Sequence, residues 1–211
     1  MKCAEVYNPQ VHDLLRIDGA SLRSGCAAEP SWVRLAMLDC PWVVVRRSQA
    51  ASGLIEVGVR GDNRRERWAA SCEKSVVREI VPPEELRRTS SDVRRAPALG
   101  ALQAMSERWA DLALPWGPGG SVGFELASGR KVTTEASDLD LVIRAQQRIT
   151  FEEARFLLDR TQGLEAKIDV RVETPVCGFA LVEYASVSSA KILLRYPDGG
   201  GLGEDPWQEV A

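Results

Sequence analysis

Gly119-Gly120-Ser121, followed by Ser137-Asp138-Leu139-Asp140-Leu141 and then Val142-Ile143, is the stretch from which the rest of the chain is read. Leu139, Leu141 and Ile143 alternate with Asp138 and Asp140, which is the period of a strand and sends both carboxylates to one face. Two like charges side by side repel and raise each other's pKa, so the pattern asks for a positive partner. Mg²⁺ suits the role, because it takes oxygen ligands and is commonly held by one or two carboxylates plus substrate phosphates. Upstream, Trp116-Gly117-Pro118-Gly119-Gly120-Ser121 reads as a glycine-rich turn whose amides, with the Ser121 hydroxyl, can approach a phosphate closely. Ser121 to Ser128, closed by Gly129, reads as a short helix with its positive end aimed at that anion. The pair of features predicts metal-assisted phosphoryl or nucleotidyl transfer. On the residues alone, a solvated Asp-x-Asp strand beside a plain loop stays open.

Further along, Ala166 to Glu173 alternates strictly, placing Ile168, Val170 and Val172 on one face and Asp169, Arg171 and Glu173 on the other. If this strand lies beside the first, Asp169 joins Asp138 and Asp140; the competing reading is a solvent-facing Asp on an edge strand. Between them, Thr150 to Thr161 reads as a helix opened by a Thr150/Glu153 capping box. The segment from Pro97 carries Leu99, Leu102, Met105, Trp109 and Leu112 at helical spacing, a core face. Ala180 to Ala185 and Ser188 to Leu194 predict a last helix and strand, and Gly199 to Trp207 a loop.

The N-terminal part reads as a smaller module. Pro41 to Arg47 and Ile55 to Gly61 are strand-like, and Pro30-Ser31-Trp32 opens a helix with Ser31 as a candidate N-cap. Arg60, Arg64, Arg65 and Arg67 crowd a turn and helix start; guanidinium groups grip phosphate bidentately, although a solvated Arg–Glu face is an equal alternative. Candidate cationic contacts are Arg60, Arg65, Arg67 and Lys191. The elements predict an α+β protein with a small N-terminal α/β module at 1–82, a linker at 83–98 and a second domain at 99–211.

Composition bounds the function. The 211 residues carry a net charge of −3, which argues against bulk binding to nucleic acid or an anionic membrane. No apolar run is long enough to span a bilayer and the start lacks a signal-peptide pattern, so a cytoplasmic location is expected. Cys3, Cys26, Cys40, Cys72 and Cys177 are scattered, which reads as reduced thiols rather than a zinc site or disulfide frame. His12 is the sole histidine, so His-based metal sites and a Ser-His-Asp triad are disfavoured and carboxylate chemistry is favoured.

The order Gly-Ser, Asp-x-Asp and a later Asp resembles the nucleotidyltransferase superfamily. Sixteen residues, 122 to 137, separate Ser121 from Asp138, longer than that superfamily's usual interval. The longer form resembles the malonate decarboxylase holo-acyl-carrier-protein synthases, also called phosphoribosyl-dephospho-CoA transferases. Matching stretches run from His12-Asp13-Leu14-Leu15 through Gly58-Val59-Arg60-Gly61, Arg65-Glu66-Arg67-Trp68-Ala69 and Ile168-Asp169-Val170. They continue with Gly178-Phe179-Ala180, Leu193-Leu194-Arg195 and Asp205-Pro206-Trp207.

The resemblance implies a nucleotidyltransferase-like mixed sheet with flanking helices in the second domain. It implies Mg²⁺ on Asp138, Asp140 and Asp169, and phosphate contacts from Gly120 and Ser121. The implied donor is triphosphoribosyl-dephospho-CoA and the implied acceptor a serine of the apo acyl-carrier subunit of malonate decarboxylase, with pyrophosphate released. The N-terminal module would bind substrate or carrier. Two other readings are another Mg²⁺-dependent adenylyl- or uridylyltransferase, acting on a protein or small molecule, and a non-catalytic binding module.

Overall fold

The computed structural model describes residues 8–18, 22–24, 28–63, 65–88, 95–186 and 191–208. Cys3, Cys26, Arg64, Thr89 to Asp92 of the predicted linker, and Ser188 lie outside the described residues. The chain divides into two compact units, residues 1–46 with 50–82, and 47–49 with 83–211.

The first unit holds β1 (Leu14–Ile17), β2 (Leu22–Ser24), α1 (Ser31–Asp39), β3 (Trp42–Val45), β4 (Leu54–Arg60), β5 (Arg67–Glu73) and β6 (Val77–Val81). Its six strands run in the order β2-β5-β4-β3-β1-β6, and every pairing is antiparallel. Alternation builds it: Ile55, Val57 and Val59 on β4 and Trp68, Ala70 and Cys72 on β5 turn inward, and Val33 and Met37 of α1 join the same core. Two local expectations are corrected. The N-cap of α1 is Pro30, with Ser31 already inside the helix, because Pro30 supplies the extended backbone an N-cap needs. The segment after Arg60 is not a helix start: Arg67–Glu73 forms β5, because its inward-alternating Trp68, Ala70 and Cys72 pair along β4.

The second unit begins with a 3₁₀ turn, Pro83–Leu86, and continues with α2 (Pro97–Arg108), β7 (Trp116–Pro118), α3 (Gly120–Ser128), β8 (Leu139–Arg144), α4 (Phe151–Asp159) and β9 (Ile168–Glu173). It ends with β10 (Gly178–Ala180), α5 (Leu181–Ser186), β11 (Ile192–Tyr196) and β12 (Gly199–Gly203). The sheet order is β12-β11-β10-β9-β8-β7; β8 and β9 are parallel and the other pairings antiparallel. A parallel pair needs a long crossover, and α4 supplies it. The Thr150/Glu153 capping box closes α4 in both directions, with Thr150 Oγ1 accepting from Glu153 N at 3.1 Å and Glu153 Oε2 accepting from Thr150 N at 2.7 Å.

Leu139, Leu141 and Ile143 are fully buried together with Leu99, Leu102 and Met105 of α2. Each such side chain contributes about 1.5–3 kcal/mol through burial. Trp109 follows α2 and packs edge-on to Trp116, with ring centroids 5.0 Å apart. Two stretches read as loop or turn are strands. Gly199–Gly203 pairs with β11 from Tyr196↔Gly199 to Ile192↔Gly203, which glycines do through backbone groups alone, leaving no side-chain pattern to read. Trp116–Pro118 pairs with β8 at the sheet edge, where proline is tolerated. Gly117 is required there because a side chain would overlap the Pro83 carbonyl. The fold is mixed α and β in two domains. The described cysteines, Cys40, Cys72 and Cys177, are buried free thiols, and burial pushes Cys72 up to about 11.

Candidate active site

The start of α3 and the starts of β8 and β9 converge. Gly119 is the N-cap of α3 in an extended conformation, and its N–H donates to the Asp140 carbonyl at 2.9 Å. Gly120 follows with φ +55°, the left-handed region that glycine enters without a Cβ penalty. A Cβ at Gly120 would overlap Asp140 Oδ2, so the carboxylate lies directly against the glycine backbone. The first turn of α3 contains no acidic residue, and helix geometry leaves its leading N–H groups without intrahelical acceptors. A positive helix end and a carboxylate thus share one small space.

Across the parallel pair, Asp140 is the register partner of Asp169. Register partners share a face and sit about 4.8 Å apart between strands. Leu139 N donates to the Lys167 carbonyl at 2.9 Å, locking the two strand starts together. Asp138 lies one residue before β8 and is half-buried, as are Asp140 and Asp169. Asp169 Oδ2 accepts from Arg171 Nη2 at 3.2 Å. Among the described residues no group of three or more His, Cys, Asp and Glu side chains is placed to hold a metal ion. Two carboxylates from neighbouring strands beside a helix N-terminus still match the oxygen donors Mg²⁺ prefers when phosphates complete its shell.

Of the cationic candidates, Arg60, Arg65 and Arg67 belong to the first unit and Lys191 to the second. Arg60 ends β4 and is the register partner of Arg67 at the start of β5; Arg65 sits exposed in the turn between them. Arg67 Nη1 donates to the Glu66 carbonyl at 3.0 Å, and Asn63 and Glu66 hold the turn through Arg65 N to Asn63 Oδ1 at 3.0 Å and Asp62 N to Glu66 Oε2 at 2.8 Å. Lys191 is exposed just before β11, three strand positions from β8, roughly 14 Å at about 4.8 Å per step. It is not gathered with the carboxylates.

Two groups on the elements that build the site escaped the motif reading. Arg171 shares a face with Asp169; the alternation of β9 carried that signal. Glu125, on α3, is 4% exposed and accepts from Val132 N at 2.9 Å and Thr133 N at 2.8 Å while ion-pairing with Arg95. Burial works to raise its pKa, but the Thr133 and Val132 amides and the Arg95 guanidinium outweigh it and hold the carboxyl below its ordinary value. Two other family-like stretches make contacts that hold the fold. Asp13 is fully buried and accepts from Gln10 N at 2.7 Å, shaping a turn in which His12 has φ +74°. The Pro206 carbonyl accepts from Thr174 Oγ1 at 2.8 Å, and Trp207 Nε1 donates to the Ala145 carbonyl at 2.9 Å, anchoring the chain end to the sheet.

The fold and site define a two-domain α+β protein that sets a glycine-opened helix over paired carboxylates at the start of a parallel strand pair. Two family models cover the chain: the phosphoribosyl-dephospho-CoA transferase MdcG N-terminal domain over residues 10–83, and its C-terminal domain over 85–206. Relatives named phosphoribosyl-dephospho-CoA transferase include one from Azotobacter vinelandii, 39% identical over 96% of both chains. Another, from Pseudomonas putida strain W619, is 36% identical over 94% of this chain and 95% of its own. A third, from Pseudomonas aeruginosa, is 36% identical over 95% and 94%. No solved structure matches. The chain belongs to the phosphoribosyl-dephospho-CoA transferase family, and it is a transferase.

Proposed function

We propose that this protein transfers the phosphoribosyl-dephospho-CoA group from 2′-(5″-triphosphoribosyl)-3′-dephospho-CoA to a serine hydroxyl of the apo acyl-carrier subunit of malonate decarboxylase. The names of its relatives support the group transferred. The observation that carries the chemistry is the Asp140↔Asp169 register with Gly120 packed against the Asp140 carboxylate.

In this reading Asp138 and Asp140 hold Mg²⁺, with Asp169 beside them. Bound there, the ion would neutralise triphosphate charge and polarise the attacked phosphorus. The amides of Gly120 and Ser121, with the helix dipole, hold the two outer phosphates. The serine Oγ forms a bond to the innermost phosphorus of the triphosphate while the bond to the bridging oxygen breaks, and pyrophosphate departs. Asp169 accepts the serine proton. Arg171 orients Asp169 and adds positive charge near the phosphates. Positioning and electrostatics then supply most of the rate, as in other phosphoryl transfers.

The first unit, through Arg60, Arg65 and Arg67, contacts the donor or the carrier. Among the described residues no helix is long and apolar enough to cross a membrane.

Intact-mass spectrometry of the apo carrier subunit, incubated with this protein, Mg²⁺ and the donor, tests the proposal. The expected gain equals the phosphoribosyl-dephospho-CoA group and is absent with the Asp138→Ala/Asp140→Ala protein. Labelling from ATP or UTP instead would replace this donor by a nucleoside triphosphate. No gain from any donor with folded protein would overturn the transfer.

A further inference from the structure

Asp140 and Asp138 are held by different means. Asp140 lies inside β8, where the ladder to β9 and the Gly119 N–H on its carbonyl fix its backbone. Asp138 lies outside the strand, at the end of the ten-residue connection 129–138 that leads from α3 and contains no helix or strand. A connection of that kind has to satisfy its buried backbone groups through side chains or water.

Glu125 meets that need. Its Oε2 accepts from the N–H of both Val132 and Thr133, at 2.9 and 2.8 Å. Its Oε1 pairs with Arg95 Nη2, and Arg95 Nη1 donates to the Thr133 carbonyl at 2.6 Å. The backbone at Thr133 is thereby gripped on both its donor and its acceptor, and Thr133 itself is buried. The grip passes down the chain. Thr134 N donates to Ser137 Oγ at 3.0 Å, and Ser137 N donates to the Thr134 carbonyl at 3.1 Å, closing a turn whose next residue is Asp138. On the far side, Leu139 N is tied to the Lys167 carbonyl.

We propose that Glu125, braced by Arg95, is a positioning residue that sets Asp138 against the Gly120–Ser121 end of α3. The inference rests on the metal role given to Asp138 and Asp140 above. Glu125 sits on the same rigid helix that presents Gly120 and Ser121, so one side chain ties the anion-gripping end and the approach of Asp138 into a single frame. The Arg95 guanidinium and the two amides keep the carboxylate ionised, the state that accepts three bonds at once. A neutral amide at this position can accept through only one oxygen and brings unmatched N–H donors.

The test is Mn²⁺ binding by the full-length protein, read from the electron paramagnetic resonance signal of the free ion, with melting temperature recorded for each variant. Glu125→Gln is expected to weaken Mn²⁺ binding about tenfold, the low end for groups that orient a metal ligand. The Mg²⁺ concentration for half-maximal transfer should rise by a similar factor, while the rate at saturating Mg²⁺ stays within about threefold. Arg95→Met and Ser137→Ala perturb the same path without removing the buried carboxylate. Each should weaken Mn²⁺ binding about threefold, and they decide the matter if Glu125→Gln does not fold.

Glu125→Gln added to Asp138→Asn should bind Mn²⁺ no more weakly than Asp138→Asn alone, since both act through one side chain. Additive losses would overturn the positioning role. So would a lowered melting temperature with Mn²⁺ binding as in the parent, the mark of a purely structural clamp. If Asp138→Asn and Asp140→Asn themselves leave Mn²⁺ binding intact, the metal reading fails and this inference falls with it. If they abolish binding while Glu125→Gln, Arg95→Met and Ser137→Ala do not affect it, only the positioning role is lost.

Discussion

The two sheets bring like charges together by opposite routes. In the first, Arg60 and Arg67 meet because a hairpin folds β5 back along β4, so residues close in sequence become register partners. In the second, Asp140 and Asp169 meet because α4 carries the chain back to begin β9 alongside β8 in the same direction. Parallel strands start at the same edge, so two acidic strand starts lie side by side. Of the hairpin's pair, Arg67 is exposed beside a turn stitched by Asn63 and Glu66, while Arg60 is half-buried at the end of β4. The crossover's carboxylates are half-buried and faced by a helix N-terminus. The same kind of juxtaposition is thus cheaper at the hairpin, where one partner is exposed and water screens it, than at the parallel edge, where both are half-buried and an opposite charge must answer them.

That contrast can be broken most severely at the carboxylates. Asp140→Asn removes the group that touches Gly120 and pairs in register with Asp169, and transfer to the carrier should fall about 10²–10³-fold at saturating donor, measured by intact-mass kinetics. A fall of only a few-fold would show the parallel edge to be no more than a solvated surface.

Gly120→Ala comes next. A side chain there meets both a positive φ and Asp140 Oδ2. The strain of the left-handed conformation alone is about 1–2 kcal/mol. The variant should melt measurably lower and lose about tenfold or more in transfer as the carboxylate is pushed aside. Gly129→Ala, also at positive φ but facing open space, should pay only the stability part.

A smaller effect sharpens the comparison through pH. The Glu125 carboxyl is held below its ordinary value of 4.5, so its stabilising contribution is complete above that value and disappears as pH falls through the lowered folded one. Melting curves of the parent and Glu125→Gln should differ most above pH 4.5 and draw together as the pH falls below that value. A gap that does not narrow at all as the pH is lowered would mean that the charge of Glu125 is not what stabilises.

The smallest effect is at the hairpin. Arg65→Glu, in the exposed turn, should leave the melting temperature unchanged and raise the apparent KM for donor or carrier about threefold, more at low salt than at high. No change in KM at any ionic strength would remove the arginine turn from substrate or carrier contact.

Much of this was legible along the chain because the relevant physics is local. The alternation of β8 and β9, the Thr150/Glu153 box that starts α4 and the left-handed Gly129 that ends α3 each depend on neighbours a few residues apart. The misreadings have equally local causes. Gly199–Gly203 has almost no side chains to betray a strand, and the charged, arginine-rich approach to β5 masked the inward alternation of Trp68, Ala70 and Cys72. Glu125 could not be singled out, because a mid-helix glutamate ordinarily faces water; only the return of residues 132–133 against α3 buries it.

Read along the chain, the residues name candidates for the chemistry: acidic residues alternating along two strands, a glycine-opened helix and an order of short motifs that resembles a known family. The tertiary structure decided which of them meet. Strand direction set Asp140 beside Asp169, the left-handed Gly120 admitted the Asp140 carboxylate to the end of α3, and sheet order put Lys191 three strands away. Periodicity fixes the face a side chain leaves from, but register and neighbour are set by contacts between segments far apart in the chain, and these no local pattern encodes.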